Sequence, residues 1–272
     1  MSDRPPLQKR LGQHHLRSGA LVEPLLQWLG SPPLGKGSRV LEIGPGGGVL
    51  TFALLERGHS TIAWELDPRW AFELRRRSAS RGAGSATTLR LVLGDALDLP
   101  WGRLEKVHSV LGNLPYNVST AILQRALAEG RRGLRLGFLV QLEVAQRICA
   151  VPGSKTYGAL SVLVRARCGA PMVLGRVKPG SFHPPPKVDS AFVGLDLNEE
   201  RWRSPAWDSF AGLIFEAFGK RRKTIRNALS SRRGAGLDAA LERAEIDPRH
   251  RPEQVGIEGW LALHRALGAL ET

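Results

Sequence analysis

Residues 113–116, Asn113-Leu114-Pro115-Tyr116, combine groups suited to one difficult reaction. An amino group conjugated with a heteroaromatic ring is a poor nucleophile, because its lone pair is delocalised into the ring. An enzyme that methylates it should accept hydrogen bonds from the amine's protons, which pyramidalises the nitrogen and aims its lone pair at an electrophilic methyl. The Asn113 side-chain oxygen and the Leu114 carbonyl are acceptors of that kind. Pro115 fixes the carbonyl rigidly, and Tyr116 supplies a face on which a base can stack. The tetrapeptide also reads as an ordinary strand-to-helix turn, with Ser119 or Thr120 as the cap of the helix that follows.

A glycine loop lies upstream, in Leu41-Glu42-Ile43-Gly44-Pro45-Gly46-Gly47-Gly48. It follows an apolar run and leads into the helical pattern VLTFALLERG. The dinucleotide fingerprint G-x-G-x-x-G needs Gly or Ala at position 49, which is Val49, so that reading fails. What fits is G-x-G-x-G after an acidic residue, in which Gly44 and Gly46 let the backbone approach a nucleoside closely. Glu65, ending the next strand, is placed to accept protons from both ribose hydroxyls. Asp95, ending the third, can accept from an adenine amino group. Gly30–Gly37 nearly spells a phosphate-binding loop. However, Gly37 stands where a Ser or Thr must reach magnesium and two prolines remove N–H donors, so we read a turn.

The elements that must hold these groups are short apolar runs alternating with amphipathic stretches, which predicts βα units and a mostly parallel, Rossmann-like sheet. Residues 39–43, 61–65, 89–93, 107–112 and 136–140 read as buried strands, and APMVLGRV and SAFVGLDL as closing ones. Asp67-Pro68 predicts an N-cap and first helical residue. After Asn198 the texture turns helical, so the expected division is a catalytic domain over 1–198 with an N-terminal arm and a small helical domain over 199–272. In the latter, residues 220–233 carry seven basic residues and no acid.

The chain has 272 residues and a formal charge of +14, and 31 of its 39 basic residues are Arg, whose planar fork suits phosphate. That charge points to a polyanionic partner, nucleic acid first. With 42% apolar residues it is a folded protein. No signal peptide or membrane span is expected, because the start is polar and the longest uncharged run contains His108, Asn113, Pro115 and Asn117. Cys149 and Cys168 form no CxxC pair and the His spacing suggests no metal site. Both cysteines are expected to be reduced, buried and structural.

Seven segments in register resemble the small-subunit ribosomal RNA adenine dimethyltransferase family. They are GQHHL (12–16), EIGPGGGVLT (42–51), GDALDL (94–99), NLPYNVST (113–120), SKTYGALSV (154–162), FHPPPKVDSAFV (182–193) and KRRKTIRNAL (220–229). The likeness runs from about residue 8 to the C-terminus. It implies a class I methyltransferase sheet with S-adenosylmethionine as cofactor and no metal. The implied product is N6,N6-dimethyladenosine at two adjacent adenines in the 3′-terminal hairpin of 16S rRNA, made in a small-subunit (30S) precursor.

The family's cofactor contacts carry over onto His14, Leu16, Gly44, Glu65, Asp95 and Asn113, with Gly46 from the glycine loop. Its target-base contacts carry over onto Asn113, Leu114, Tyr116 and Phe182 around Pro115. Tyr116 and Phe182 would sandwich a base taken out of its stack, with Pro184–Pro186 shaping the wall. Lys220, Arg221, Arg222, Lys223 and Arg226, and the arginines at 75–77 and 131–132, would track rRNA phosphates. Gln13 and the arm would close over the cofactor. His15 departs from the family's usual Phe, and Trp64 reads as core. The expected state is a cytoplasmic monomer. Two alternatives stay open: a large-subunit rRNA adenine dimethyltransferase of the macrolide-resistance type, and an assembly factor that binds pre-rRNA without needing catalysis. The PPPKVDS and RRKTIRNAL segments favour the small subunit.

Overall fold

A computed structural model describes Pro5 and residues 13–30, 38–80, 88–198 and 207–268, without the side chains of 233–235. Gly12, the body of the Gly30–Gly37 turn and the polar connection after Asn198 fall outside the described residues. In chain order the elements are β1 (His15–Leu16), α1 (Glu23–Leu29), β2 (Arg39–Ile43), α2 (Val49–Glu56), β3 (Ser60–Glu65), α3 (Pro68–Ala79), β4 (Leu89–Leu93), β5 (Ser109–Asn113), α4 (Ser119–Glu129) and β6 (Arg135–Gln141). There follow α5 (Leu142–Cys149), α6 (Ala159–Arg167), β7 (Met172–Val177), β8 (Phe182–His183), β9 (Ser190–Asp196), α7 (Trp207–Gly219), α8 (Ile225–Ala228), α9 (Leu237–Arg243) and α10 (Ile257–Gly268).

The chain divides into two compact units. The first comprises Met1–Ala145 and Met172–Leu197. Its seven-stranded sheet has the order β4-β3-β2-β5-β6-β9-β7, parallel from β4 to β6 and antiparallel at β9 and β7. The strands run outward from β2 in both directions, so the order reverses between β2 and β5, and a crevice opens there beyond the carboxyl ends. Ile43 of β2 stands opposite Gly112 of β5. The glycine loop and Asn113 therefore emerge side by side. Asp67 caps α3 as expected, its carboxylate accepting from Arg69 N at 3.0 Å with Pro68 next in line.

A short ribbon pairs β1 with β8, bringing His15 opposite His183 and Leu16 opposite Phe182. Arg17 staples it, its N–H donating to Ser181 O (3.0 Å) and its Nε to Phe182 O (2.9 Å). Leu16 and Phe182 sink into a core shared with Leu25, Leu26, Leu139 and Phe192. Full burial of such side chains contributes about 1.5–3 kcal/mol each, enough to pin the arm to a segment remote in sequence.

The second unit comprises Gln146–Pro171 and Asn198–Thr272. This differs from a single cut at residue 198, because residues 146–171 join the C-terminal helices. The cause is α6, which is buried at Val162, Leu163, Val164 and Ala166 and packs on α7 and α10. Tyr157 Oη donates to Val255 O (3.1 Å) and Gly153 N to Glu253 O (2.7 Å), which ties that stretch to the later chain. Cys168 is buried and Cys149 half-buried, and both are free thiols. Among the described residues no helix is long and apolar enough to cross a membrane, and no three His, Cys, Asp or Glu side chains group to hold a metal ion.

Candidate functional site

The crevice of the first unit is a cleft between the carboxyl ends of the strands and the N-terminal arm. Four carboxyl ends supply it: Gly44 and Gly46 after β2, Glu65 ending β3, Asp95 after β4, and Asn113 to Tyr116 after β5. His14 of the arm also lines it. Nine of the expected cofactor and base contacts thus share one cleft, and Gln13 and His15 of the arm line it with them.

The glycine loop is shaped as that reading requires. Gly44 and Gly46 have φ of +65° and +47°, which disfavours any side chain. A Cβ on Gly44 would lie in van der Waals contact with Asn113 O at 3.9 Å, while one on Gly46 would strike the His15 ring at 2.7 Å. His15 also packs edge-on against Trp70, with centroids 4.4 Å apart. It fills the aromatic place that a Phe would take.

Two buried carboxyl groups lie behind the loop. Glu65 Oε2 accepts from Gly46 N (3.0 Å) and Oε1 from Asp67 N (2.9 Å). Burial raises its pKa, and these backbone bonds offset part of the rise. Glu42 accepts from the Thr51 hydroxyl (2.5 Å), and burial, abetted by the nearby Glu65 charge, pushes its pKa up to about 8. Asp95 uses Oδ1 to accept from Leu97 N (2.8 Å), while its carbonyl takes the Trp64 indole N–H (3.0 Å).

Asn113 is held by the arm: its Nδ2 donates to His14 O at 2.6 Å. A carbonyl can only accept, so this bond fixes the amide's flip and leaves Oδ1 as its remaining acceptor. Pro115 O receives Val118 N (3.1 Å) and Ser119 N (3.0 Å) as α4 begins. The N-cap of α4 is Val118 without a side-chain cap, and the Ser119 hydroxyl donates back to Tyr116 O, so the expected Ser or Thr cap is absent. Tyr116 is clamped twice. Its hydroxyl bonds Ser190 Oγ (2.6 Å), and the His14 ring lies stacked on it, with centroids 5.3 Å apart and 23° between planes. Burial raises the Tyr116 pKa, so the phenol keeps its proton. His14 Nδ1 lies 2.8 Å from Pro184 O, which requires a proton on that nitrogen.

One expected contact lies elsewhere. Phe182 is fully buried in the core and does not line the cleft, so it presents no face to a base; Leu16, its partner in the ribbon, is also core but lines a small cavity beside Gly44 and Asn113. Conversely Trp64, read as core, lines the cleft together with Leu66, Val118 and Ile122. A Trp or Leu next to the acid ending a strand was the available signal for the first two.

The basic residues divide in the same way. In the second unit Lys220, Arg221, Arg222 and Lys223 line an open concavity with Asn227 and Ser230. Arg226 is instead paired with Asp238, Nε to Oδ1 at 2.8 Å and Nη2 to Oδ2 at 2.7 Å. Arg221 donates to Lys155 O (2.7 Å). In the first unit Arg131 donates to Leu104 O (3.3 Å) and Val107 O (2.6 Å), and Arg77 bonds Gly47 O and lies over Phe52, so both serve the fold.

Comparison with known proteins matches residues 6–267 to a family model described as ribosomal RNA adenine dimethylase. The chain is 37% identical over 276 residues to a ribosomal RNA small subunit methyltransferase A of Synechococcus elongatus, covering 97% of this chain and 96% of the relative. It is 39% identical to a protein of the same name from Thermosynechococcus vestitus, covering 97% and 98%. Among solved structures, a dimethyladenosine transferase from Plasmodium falciparum superposes with a TM-score of 0.80 at 23% identity, over 95% of this chain and 98% of that one. The 23S rRNA methyltransferase ErmE superposes with a TM-score of 0.64 at 23% identity, over 98% and 100%. These two likenesses speak to the fold.

Proposed function

The chain belongs to the ribosomal RNA adenine dimethylase family, and from that premise we propose how its residues carry out the reaction. It is an S-adenosylmethionine-dependent rRNA adenine dimethyltransferase. It methylates the exocyclic amino nitrogen of two adjacent adenines in the 3′-terminal hairpin of 16S rRNA. The observation that carries this is the convergence of Gly44, Glu65, Asp95 and Asn113–Tyr116 on one cleft at the sheet's switch point.

The cleft fits the cofactor. Gly44, at φ +65°, brings the backbone to the cleft without a side chain, which is what a closely approaching nucleoside needs, and Glu65 and Asp95 put carboxyl acceptors on its wall. Glu65 would hold the ribose hydroxyls, Asp95 the adenine amino group, and Gly44, Gly46 and the His14 main chain the remainder. When bound, the cofactor supplies an electrophilic methyl on a sulfonium.

The protein's part is orientation. Asn113 Oδ1 and the Leu114 carbonyl accept the two protons of the target amine and draw its lone pair out of conjugation. Pro115 O is engaged by the first turn of α4, which leaves the Leu114 carbonyl to do this. Tyr116, locked by Ser190 and His14, supplies the stacking face. Each transfer leaves a surplus proton on nitrogen, which passes to water. The second round needs the same acceptors for the one remaining N–H.

In the second unit Lys220, Arg222 and Lys223 hold rRNA phosphates, and the substrate is the assembling small subunit. The enzyme acts as a cytoplasmic monomer. Asn113→Ala is expected to lower methyl transfer to unmethylated small subunits at least about 10³-fold with the fold intact, consistent with loss of a positioned acceptor. The assay is labelled-methyl incorporation with nucleoside mapping. Wild-type dimethylation by this variant would refute the mechanism.

A further inference from the structure

Helix α3 buries Trp70, Ala71 and Leu74, yet Phe72 stands off that stripe at 71% exposure. At helical spacing its neighbours are Arg69, Arg75 and Arg76. Asp67 and Glu73 are both buried, and each holds one of these arginines in a two-pronged bond: Asp67 accepts from Arg69 Nε (3.0 Å) and Nη2 (2.6 Å), and Glu73 from Arg76 Nε (2.9 Å) and Nη2 (3.1 Å). Arg75 is exposed and pairs with neither acid, so the outward face of α3 offers an aromatic ring beside one open guanidinium.

The same unit also exposes apolar side chains next to the cleft. Strand side chains alternate, so Leu93 shares a face with Leu89 and Leu91, which pack against Leu74 of α3. Leu93 is 61% exposed and pairs with Glu65, whose neighbour Leu66 lines the cleft. Leu93 and Leu66 thus form an exposed apolar strip beside the cleft.

We propose that the outward face of α3 is a second RNA-binding surface, on which Phe72 stacks an unpaired nucleotide of the substrate RNA and Arg75 meets its phosphate. The inference rests on the reading of the cleft as an rRNA adenine methylation site. Charge selects the occupant. A protein partner covering Phe72 would have to desolvate the Arg75 guanidinium or bring its own acid, whereas RNA brings a π-face and an anion together.

The test uses the full chain and unmethylated small ribosomal subunits, with binding measured without cofactor across a salt series and methylation measured at varied subunit concentration. Phe72→Ala is expected to weaken subunit binding about 10-fold and raise KM in step, with kcat and cofactor affinity unchanged. Phe72→Trp should restore binding, and Arg75→Gln should flatten the slope of log K against log salt by nearly 1. Subunit affinity within twofold of wild type for both Phe72→Ala and Arg75→Gln would overturn the proposal. So would rescue by Phe72→Leu as complete as by Phe72→Trp, because simple apolar contact would then suffice. A change in self-association with unchanged RNA affinity would assign the face to a second copy of the chain, also against it. Failure of the wild type to methylate the subunits would instead strike at the reading of the cleft, since the cofactor-free binding measurement stands apart from it.

Discussion

The cleft of the first unit and the basic concavity of the second handle charge in opposite ways. In and behind the cleft the polar groups are few and fixed: Glu65 is held by two backbone N–H groups, Glu42 behind the loop is capped by Thr51, and Asn113 is oriented by a main-chain carbonyl. In the concavity, Lys220, Arg222 and Lys223 are exposed to solvent. Redirecting a delocalised lone pair needs acceptors that are placed beforehand and do not reorganise. Holding a polyanion needs long cationic side chains that follow phosphates and exchange counterions. One region invests in rigidity, the other in reach.

The sharpest test of that contrast is pH. Glu42 has a folded pKa of about 8 against an ordinary 4.5, so between those values the folded state binds the proton and the unfolded state has lost it. Its stabilising contribution is whole below pH 4.5, declines as pH rises, and is gone above about 8. Glu42→Gln keeps an acceptor for Thr51 and cannot ionise. Relative to wild type, its stability should be nearly unchanged near pH 4.5 and greater by about 5 kcal/mol near pH 9. Denaturant titrations at the two pH values measure this. An equal effect at both would mean that the site of Glu42 behind the glycine loop is wetter than its burial indicates.

The contrast also explains what sequence could disclose. The strands, the Asp67-Pro68 start of α3 and the polar groups ending β2 to β5 were legible because each depends on local pattern, and a parallel sheet delivers strand ends to one edge. Phe182 was misplaced because FHPPP has pocket-like composition. What buries it is pairing with Leu16, 166 residues away in sequence, and no periodicity reports such a partner. The same remoteness hid the His14 contacts with Asn113, Tyr116 and Pro184. Residues 146–171 looked like one more turn of the α/β alternation. Only the packing of α6 on α7 and α10 shows where they belong.

A second, smaller effect probes the concavity. Replacing Lys220, Arg222 and Lys223 together by Gln should weaken binding to small-subunit RNA roughly 10-fold or more at moderate salt. It should also reduce the salt slope by about 2 to 3, the signature of as many lost phosphate contacts. Cofactor affinity should stay the same. An unchanged slope would remove these residues from the RNA interface and leave the concavity without its assigned role.

The smallest effect separates Arg226 from its neighbours. It stands in the same basic tract, and composition alone groups it with them, but its guanidinium already makes a two-pronged bond to Asp238. Both side chains are half exposed, so the pair adds little to stability, and its main consequence is to occupy the fork that would otherwise meet a phosphate. Arg226→Gln should therefore change RNA affinity less than about twofold and leave the salt slope as it was, with a loss of stability at the edge of what a thermal melt resolves. Asp238→Asn offers the converse, because it releases the guanidinium while keeping the shape of the site. If RNA binding then tightens and its salt slope steepens, Asp238 had been holding back a competent phosphate ligand. If Arg226→Gln alone weakens binding as much as Arg222→Gln does, the pair opens on the substrate, and the line between structural and binding arginines in this tract has to be redrawn.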